Sequence, residues 1–277
     1  METQDNSTDK AKEKYEIKDF VSFSAQLMAA LRAKETERTD RLYEDPFATQ
    51  LAGPQVMEML AEQKIKMNDL VTDLLAIRTR FFDDFLLEAV SQVRQVVLLA
   101  VGMDARAFRL PWPDGTLLYE LDKPEVLVKK ELLLKQTRPS CNRCTIAVDL
   151  TQPWSHLLIE QGYRTDLPSV WLLEGLLMYL TESEVHNLLK TIWQIAAHGS
   201  WLGADVLNVK SLQSQDLAAQ YWRSGFDYPE DIFALHGWKV QVVQPGEEKA
   251  SFGRVTQQLP PRDVLDISRI FLVKASK

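Results

Sequence analysis

Val96–Val101 is a continuous apolar run closed by Gly102, and a second apolar run, Thr116–Leu121, ends in Asp122, 20 residues after that glycine. An unbroken apolar run is the pattern of a strand buried on both faces, which belongs to a parallel sheet covered by helices. A glycine at the end of one strand and an acid at the end of the next describe a pocket for a ribose. The carboxylate takes the two hydroxyls, and the glycine lets the backbone approach the rest of the nucleoside. This spacing therefore predicts an α/β fold that binds a nucleoside-bearing cofactor.

The rest of the chain supports that fold. Further strands are expected at Thr145–Val148, Ser169–Leu173, Ser200–Val206, Lys239–Val243 and Arg269–Val273. Helical patterns separate them. Pro124–Thr137 carries Val126, Leu127, Leu133 and Leu134. A helix to about Ala197 opens on Thr181-Glu182-Ser183-Glu184, a capping box. A short turn of helix after Gly102 is stopped by Pro111 and Pro113. Upstream, residues 20–94 read as helical. Their strongest segment runs from Asp69 to Val93, with Leu70, Leu74, Ile77, Phe81, Phe85 and Ala89 at helical spacing. Alternating strands and helices predict a mostly parallel sheet with helices on both faces. Right-handed crossovers then gather the strand ends on one edge, where ligands bind in open sheets. Gly102, Asp122, Asp149 and Glu174 are the residues at those ends.

Residues 1–19 are expected to be a mobile polar tail and 20–277 one domain, with 20–94 a helical cap and 207–238 a lid over the substrate. Tyr221, Trp222, Phe226, Tyr228 and Phe233 in the lid would suit a flat or apolar molecule, or pack as ordinary core. The net charge of −7 lacks the basic face of a nucleic-acid binder. No apolar stretch approaches the ~18 residues of a membrane span, and the N-terminus is too polar for a signal peptide. A cytoplasmic location is expected, with neither nucleic acid nor membrane as partner. Nothing in the sequence sets an oligomeric state. Cys141 and Cys144 have no second ligand pair for zinc and read as incidental thiols, so no metal is expected.

The cofactor class follows from what the turn lacks. A dinucleotide site wants three glycines and a long helix facing the pyrophosphate. Here one glycine stands in Ala100-Val101-Gly102-Met103-Asp104-Ala105, and Asp104 would repel phosphates. S-adenosylmethionine, a nucleoside with a cationic end, suits an acidic rim better.

Five stretches then resemble one family: Ala76–Asp84, Leu99–Arg106, Tyr119–Asp122, Val148–Leu150 and Leu173–Leu180. Ala33–Thr36 followed by Asp45-Pro46-Phe47 also fits. Together they look like the leucine carboxyl methyltransferase family. More closely, they resemble its bacterial branch of S-adenosylmethionine-dependent O-methyltransferases of polyketide or other secondary metabolism. The resemblance spans roughly residues 20 to 275. It implies a Rossmann-like class I methyltransferase fold with an N-terminal helical extension.

It also implies a role for each matching residue. Arg78 would pair with the methionine carboxylate, with Lys34 beside it or facing the substrate. Gly102 would sit under the cofactor, in the same turn as Ala100. Asp122 would hold the ribose hydroxyls. Asp149 and the backbone of Leu150 would meet the adenine, and Glu174 the amino group. The chemistry agrees, since a carboxylate wants a guanidinium, and hydroxyls and an ammonium want carboxylates. One departure is Ala100, where the family usually has glycine; alanine is comfortable only at negative φ.

Methyl transfer from a sulfonium is an in-line displacement, and much of its catalysis is alignment and desolvation. A carboxylate acceptor needs no base, whereas an alcohol needs one strongly. None of His156, His186, His198 and His236 reads as a base. Tyr179, five residues after Glu174, is the candidate to bond the acceptor oxygen, if it is not simply a half-buried aromatic. Arg106 and Arg109 are expected either to steer an anionic substrate or to solvate a helix end. The leading expectation is an O-methyltransferase acting on a small molecule. A non-catalytic S-adenosylmethionine-binding protein is the alternative, and a nicotinamide-dependent oxidoreductase a more distant one.

Overall fold

The computed structural model describes residues 17–65, 68–214, 218–255, 260–264 and 266–277. Seven strands form one sheet: β1 (Gln95–Leu99), β2 (Leu117–Asp122), β3 (Asn142–Ala147), β4 (Ser169–Leu173), β5 (Trp201–Leu207), β6 (Lys239–Val243) and β7 (Ile270–Ser276). Their spatial order is β3-β2-β1-β4-β5-β7-β6. β1 to β5 run parallel, and β7 is antiparallel to both β5 and β6. The chain leaves β1 toward β2 and β3, then returns to build outward from β4. The strand order therefore reverses between β1 and β4, and Gly102 and Glu174 follow these two neighbouring strands.

Eight α-helices accompany the sheet among the described residues: α1 (Ile17–Glu37), α2 (Ala48–Ala61), α3 (Asp69–Ala89), α4 (Arg106–Arg109), α5 (Pro124–Leu134), α6 (Ser155–Glu160), α7 (Glu182–Ile195) and α8 (Pro229–Leu235). Alternation along each strand divides the core. Val97, Leu99, Trp171 and Leu173 face α6, α7 and α8. Val96, Leu98, Val170 and Leu172 face α3, through Ile77, Phe82 and Phe85. Gly203 in β5 makes that contact possible, since a Cβ there would lie 2.7 Å from the Phe85 ring. α7 opens on the expected box, with Glu184 Oε2 accepting from the Thr181 N–H at 2.7 Å. α1, α2 and α5 form a smaller cluster with Met103 over the strand-end edge.

Several boundaries differ from expectation. β3 starts at Asn142 rather than Thr145, because this edge strand pairs with β2 through its backbone while its side chains are polar and largely exposed. α1 begins at Ile17, inside the expected tail; residues 1–16 of that tail lie outside the described residues. In the 207–238 segment, Phe233 is fully buried in the main core and Tyr228 is exposed. Residues 222–224 instead hang on the β4 end, with the Arg223 N–H donating to Met178 O at 2.7 Å. Among the described residues, no helix is long and apolar enough to cross a membrane. Both cysteines are free thiols, and burial pushes Cys141 up to about 12.

Candidate functional site

The first two strand ends interlock. The Gly102 N–H donates to Asp122 Oδ2 at 2.6 Å, and the Lys123 N–H to Asp122 Oδ1 at 2.7 Å. Burial raises the Asp122 carboxyl above its ordinary range, while these two backbone bonds pull it down. The turn is tight: Ala100 and Gly102 have φ of 52° and 51°. Ala100 thus takes the left-handed conformation that its side chain opposes. Glu120, two residues before Asp122 on the same strand, is buried against Lys130 Nζ at 2.8 Å.

The third strand end is looser. Asp149 is exposed and accepts from the Thr151 N–H at 3.0 Å and its hydroxyl at 2.7 Å. Slight burial pushes this carboxyl up, and the Thr151 bonds more than reverse it, leaving it lowered. Leu150 is half-buried against the main core.

At the fourth strand end, Glu174 stands between two guanidinium groups. It lies 3.1 Å from Arg78 Nε and 2.7 Å from Arg106 Nη1. Neither contact is aligned as a hydrogen bond, so Arg78 Nε and Glu174 Oε2 have no hydrogen-bond partner among the described residues. Arg78 reaches this position from the inner face of α3. Its Nη1 donates to Asp205 Oδ2 at 2.9 Å, and Asp205 Oδ1 also accepts from the Gly175 N–H at 2.6 Å. Asp205, in the middle of β5 and fully buried, therefore ties Arg78 to the turn that carries Glu174. The sequence reading missed it. The available signal was an acid inside an otherwise apolar strand, which requires a buried cation.

The expectation for two arginines differs from the structure. Arg106 and Arg109 neither face a substrate nor solvate a helix end. Both are buried on Asp83 of α3, Arg106 at 2.7 Å and Arg109 through two bonds of 2.7 Å. Arg106 also pairs with Asp104. Lys34 lies away from Arg78. It is exposed and borders a surface groove of about 720 Å³ together with Arg38, Ile65 and Asp69. The α1 side chains on the Arg78–Glu174 cavity are Met28, Leu31 and Arg32, and Lys34 lies off that stripe.

Tyr179 ends a single 3-10 turn, Leu177–Tyr179, beyond β4. Trp222, Ser24, Arg78 and Asp205 lie close enough to influence its hydroxyl. Burial raises the phenol above its ordinary value, so at neutral pH it is a hydrogen-bond donor rather than a base. His186 Nδ1 and His236 Nε2 lie 2.9 Å apart and satisfy each other. No group of three or more metal-ligating side chains occurs among the described residues.

The sequence profile of the leucine carboxyl methyltransferase family matches residues 25–193. The chain belongs to this family. A relative from Saccharopolyspora erythraea named "Putative S-adenosyl-L-methionine-dependent methyltransferase" is 36% identical over 264 residues, covering 88% of this chain and 92% of its own. A relative of the same name from Mycobacterium marinum is 33% identical, covering 95% and 96%. Two solved structures share the fold. One is a DUF574 family protein from Streptomyces avermitilis (TM-score 0.60, 12% identity, covering 90% of this chain and 96% of that one). The other comes from Thermobifida fusca (TM-score 0.58, 15% identity, covering 91% and 94%). The protein is thus an S-adenosylmethionine-dependent methyltransferase with a Rossmann-like class I fold.

The donor set fits that cofactor. A buried carboxylate ends β2, and beyond β4 Arg78 and Glu174 line one cavity, with Arg78 Nε and Glu174 Oε2 lacking a hydrogen-bond partner among the described residues. The cavity itself holds only about 20 Å³, room for one water. α1 takes up the remaining space. A Cβ placed on Gly102 would stand 3.2 Å from Ala25 Cβ, so the helix rests on the glycine that the cofactor must approach.

Proposed function

We propose that this methyltransferase transfers the methyl group to an oxygen of a small-molecule acceptor, a carboxylate or an enol or phenol hydroxyl, in secondary metabolism. Asp122 takes the ribose hydroxyls over Gly102 and Ala100. Arg78, which lines the cavity with its Nη1 held by Asp205, receives the methionine carboxylate. Glu174 meets the ammonium group, and Asp149 with the Leu150 backbone meets the adenine. Bound there, the cofactor supplies a methyl group already activated on a sulfonium. The protein's share is alignment and exclusion of water.

One observation carries the choice of oxygen. Tyr179, just beyond β4, is a protonated donor, and no histidine is among the described residues that line the Arg78–Glu174 cavity. Such a site suits an acceptor that is already anionic or readily becomes so. Tyr179 would hold its oxygen through a hydrogen bond. A net charge of −7 and the absence of a spanning helix among the described residues support a soluble cytoplasmic setting and a small-molecule partner.

The test is transfer of a carbon-13 methyl from S-adenosylmethionine to a panel of carboxylates, phenols, amines and thiols. Labelled methyl resonances at ester or ether positions are expected. Transfer only to nitrogen or sulfur would overturn the reading. Cofactor binding with no transfer to any acceptor would favour a binding-only protein.

A further inference from the structure

One stripe of α1 lies against the rim at Gly102 and Arg78 and against the segment that carries Tyr221. Phe20 stacks on Tyr221 with ring centroids 3.9 Å apart and planes 16° from parallel. Ser24, whose hydroxyl donates to Val21 O at 2.9 Å, lies near Tyr179. Ala25 rests on Gly102. Met28 Sδ lies 3.8 Å from Arg78 Nη2. Phe20, Ser24 and Met28 are spaced four apart, so they share one helix face, with Ala25 beside it.

The two halves of α1 are held very differently. Arg32 in the C-terminal half binds Asp45 Oδ2 at 2.8 Å and the Met103 carbonyl. Glu35 receives Arg254 at 2.9 Å from the far end of the chain. The N-terminal half has lighter fastenings. Lys129 of α5 donates to Gln26 Oε1 at 2.6 Å and to Ser22 Oγ at 3.3 Å, and Gln26 Nε2 donates to Ala52 O at 2.9 Å. With the Phe20 stack, these contacts hold residues 20–28 in place, and the cavity that Met28 lines with Arg78 and Glu174 has room for one water.

We infer that residues 20–28 of α1 are a built-in occupant of the site: Ala25 and Met28 stand where the cofactor binds, and the Phe20 ring holds the seat of a planar aromatic acceptor. The seat's chemistry supports the acceptor class. Tyr221 offers a flat face, with Trp222 and the donor hydroxyl of Tyr179 beside it. An aromatic acid or phenol would stack in place of Phe20 and present its oxygen to Tyr179. This acceptor class rests on the O-methyl transfer proposed above, whereas displacement of α1 does not. Only the released fraction of the protein binds, so closure weakens apparent affinity for both ligands.

Calorimetric titration of the full chain with S-adenosylhomocysteine, the cofactor's stable product form, tests the occupant. Phe20→Ala removes the stack, and Lys129→Met loosens the same helix from α5 without touching the rim. Each should bind S-adenosylhomocysteine about 3–10-fold more tightly than the unaltered protein. Affinities unchanged within about twofold, or weaker, in both variants would overturn the occupant; should Phe20→Ala melt early, Lys129→Met decides alone. The seat is tested with 2-naphthoate and octanoate as probes. Phe20→Ala should gain at least about threefold for 2-naphthoate and nothing for octanoate. An equal gain for both, or none for either, would overturn the aromatic class. Failure of the O-methyl reading appears separately, as absent transfer to oxygen with the affinity changes intact.

Discussion

Asp205 Oδ2 lies 2.9 Å from Arg78 Nη1, and through its other oxygen the same carboxylate grips the Gly175 N–H at 2.6 Å. One buried acid from the fifth strand thereby sets both the guanidinium and the turn that presents Glu174. Removing a single partner from a buried ion pair leaves the other uncompensated, at about 3–5 kcal/mol. Asp205→Asn should lower unfolding stability by about that amount in urea titrations and weaken cofactor binding as well. Unchanged stability would mean that Arg78 finds another partner.

Acid should unfold the protein in a window set partly by Asp104. Burial pushes this carboxyl up, but Arg106, Lys130, Arg32 and Arg109 together bring it down to about 2. Its folded pKa is thus below the unfolded value of about 3.9, so the unfolded chain binds more protons. The resulting stability is present above that unfolded value and is lost as pH falls toward 2. Urea midpoints of Asp104→Asn should accordingly depend less steeply on pH than those of the unaltered protein between pH 5 and about 2. Parallel curves for the two proteins would remove Asp104 from the account.

At Ala100 the backbone has φ 52°, which costs a residue with a Cβ about 1 kcal/mol. Ala100→Gly should relieve this strain and raise thermal stability by up to about 1 kcal/mol, less what glycine adds to the freedom of the unfolded chain. A clear loss of stability would show that the methyl contributes packing that outweighs the strain.

Much of the fold was legible because buried strands announce themselves. Ser169–Leu173 and Lys239–Val243 lie where expected, each an apolar run or alternation between turn residues. β3 was shortened in expectation because its register is held by backbone bonds that leave no apolar period. Of the site, the residues at strand ends could be placed, since parallel topology alone brings them to one rim. Asp205 could not, because a mid-strand acid becomes meaningful only once Arg78 is known to stand opposite. The place of Lys34 could not be read for a related reason: motif order does not fix which face of α1 a side chain takes. The burial of Arg106 and Arg109 depends on Asp83, a contact 23 and 26 residues away in sequence.

Tyr179→Phe keeps the ring and removes the donor. If the phenol holds the acceptor oxygen, kcat should fall about 5–30-fold, the worth of one to two kcal/mol, with cofactor affinity little changed. A change in cofactor affinity alone, with kcat preserved, would make the hydroxyl part of the α1 contact through Ser24 rather than of the transfer.

The central claim is that the rim built by Gly102 and Asp122 is the cofactor site. Its most direct measurement is calorimetric titration of S-adenosylmethionine into the unaltered protein and into Asp122→Ala. Loss of a hydrogen bond from the ribose to a charged group predicts binding weaker by about 1–3 kcal/mol in the variant, a fall of roughly 5–150-fold. Equal affinity for the two proteins, with the variant folded, would contradict the placement.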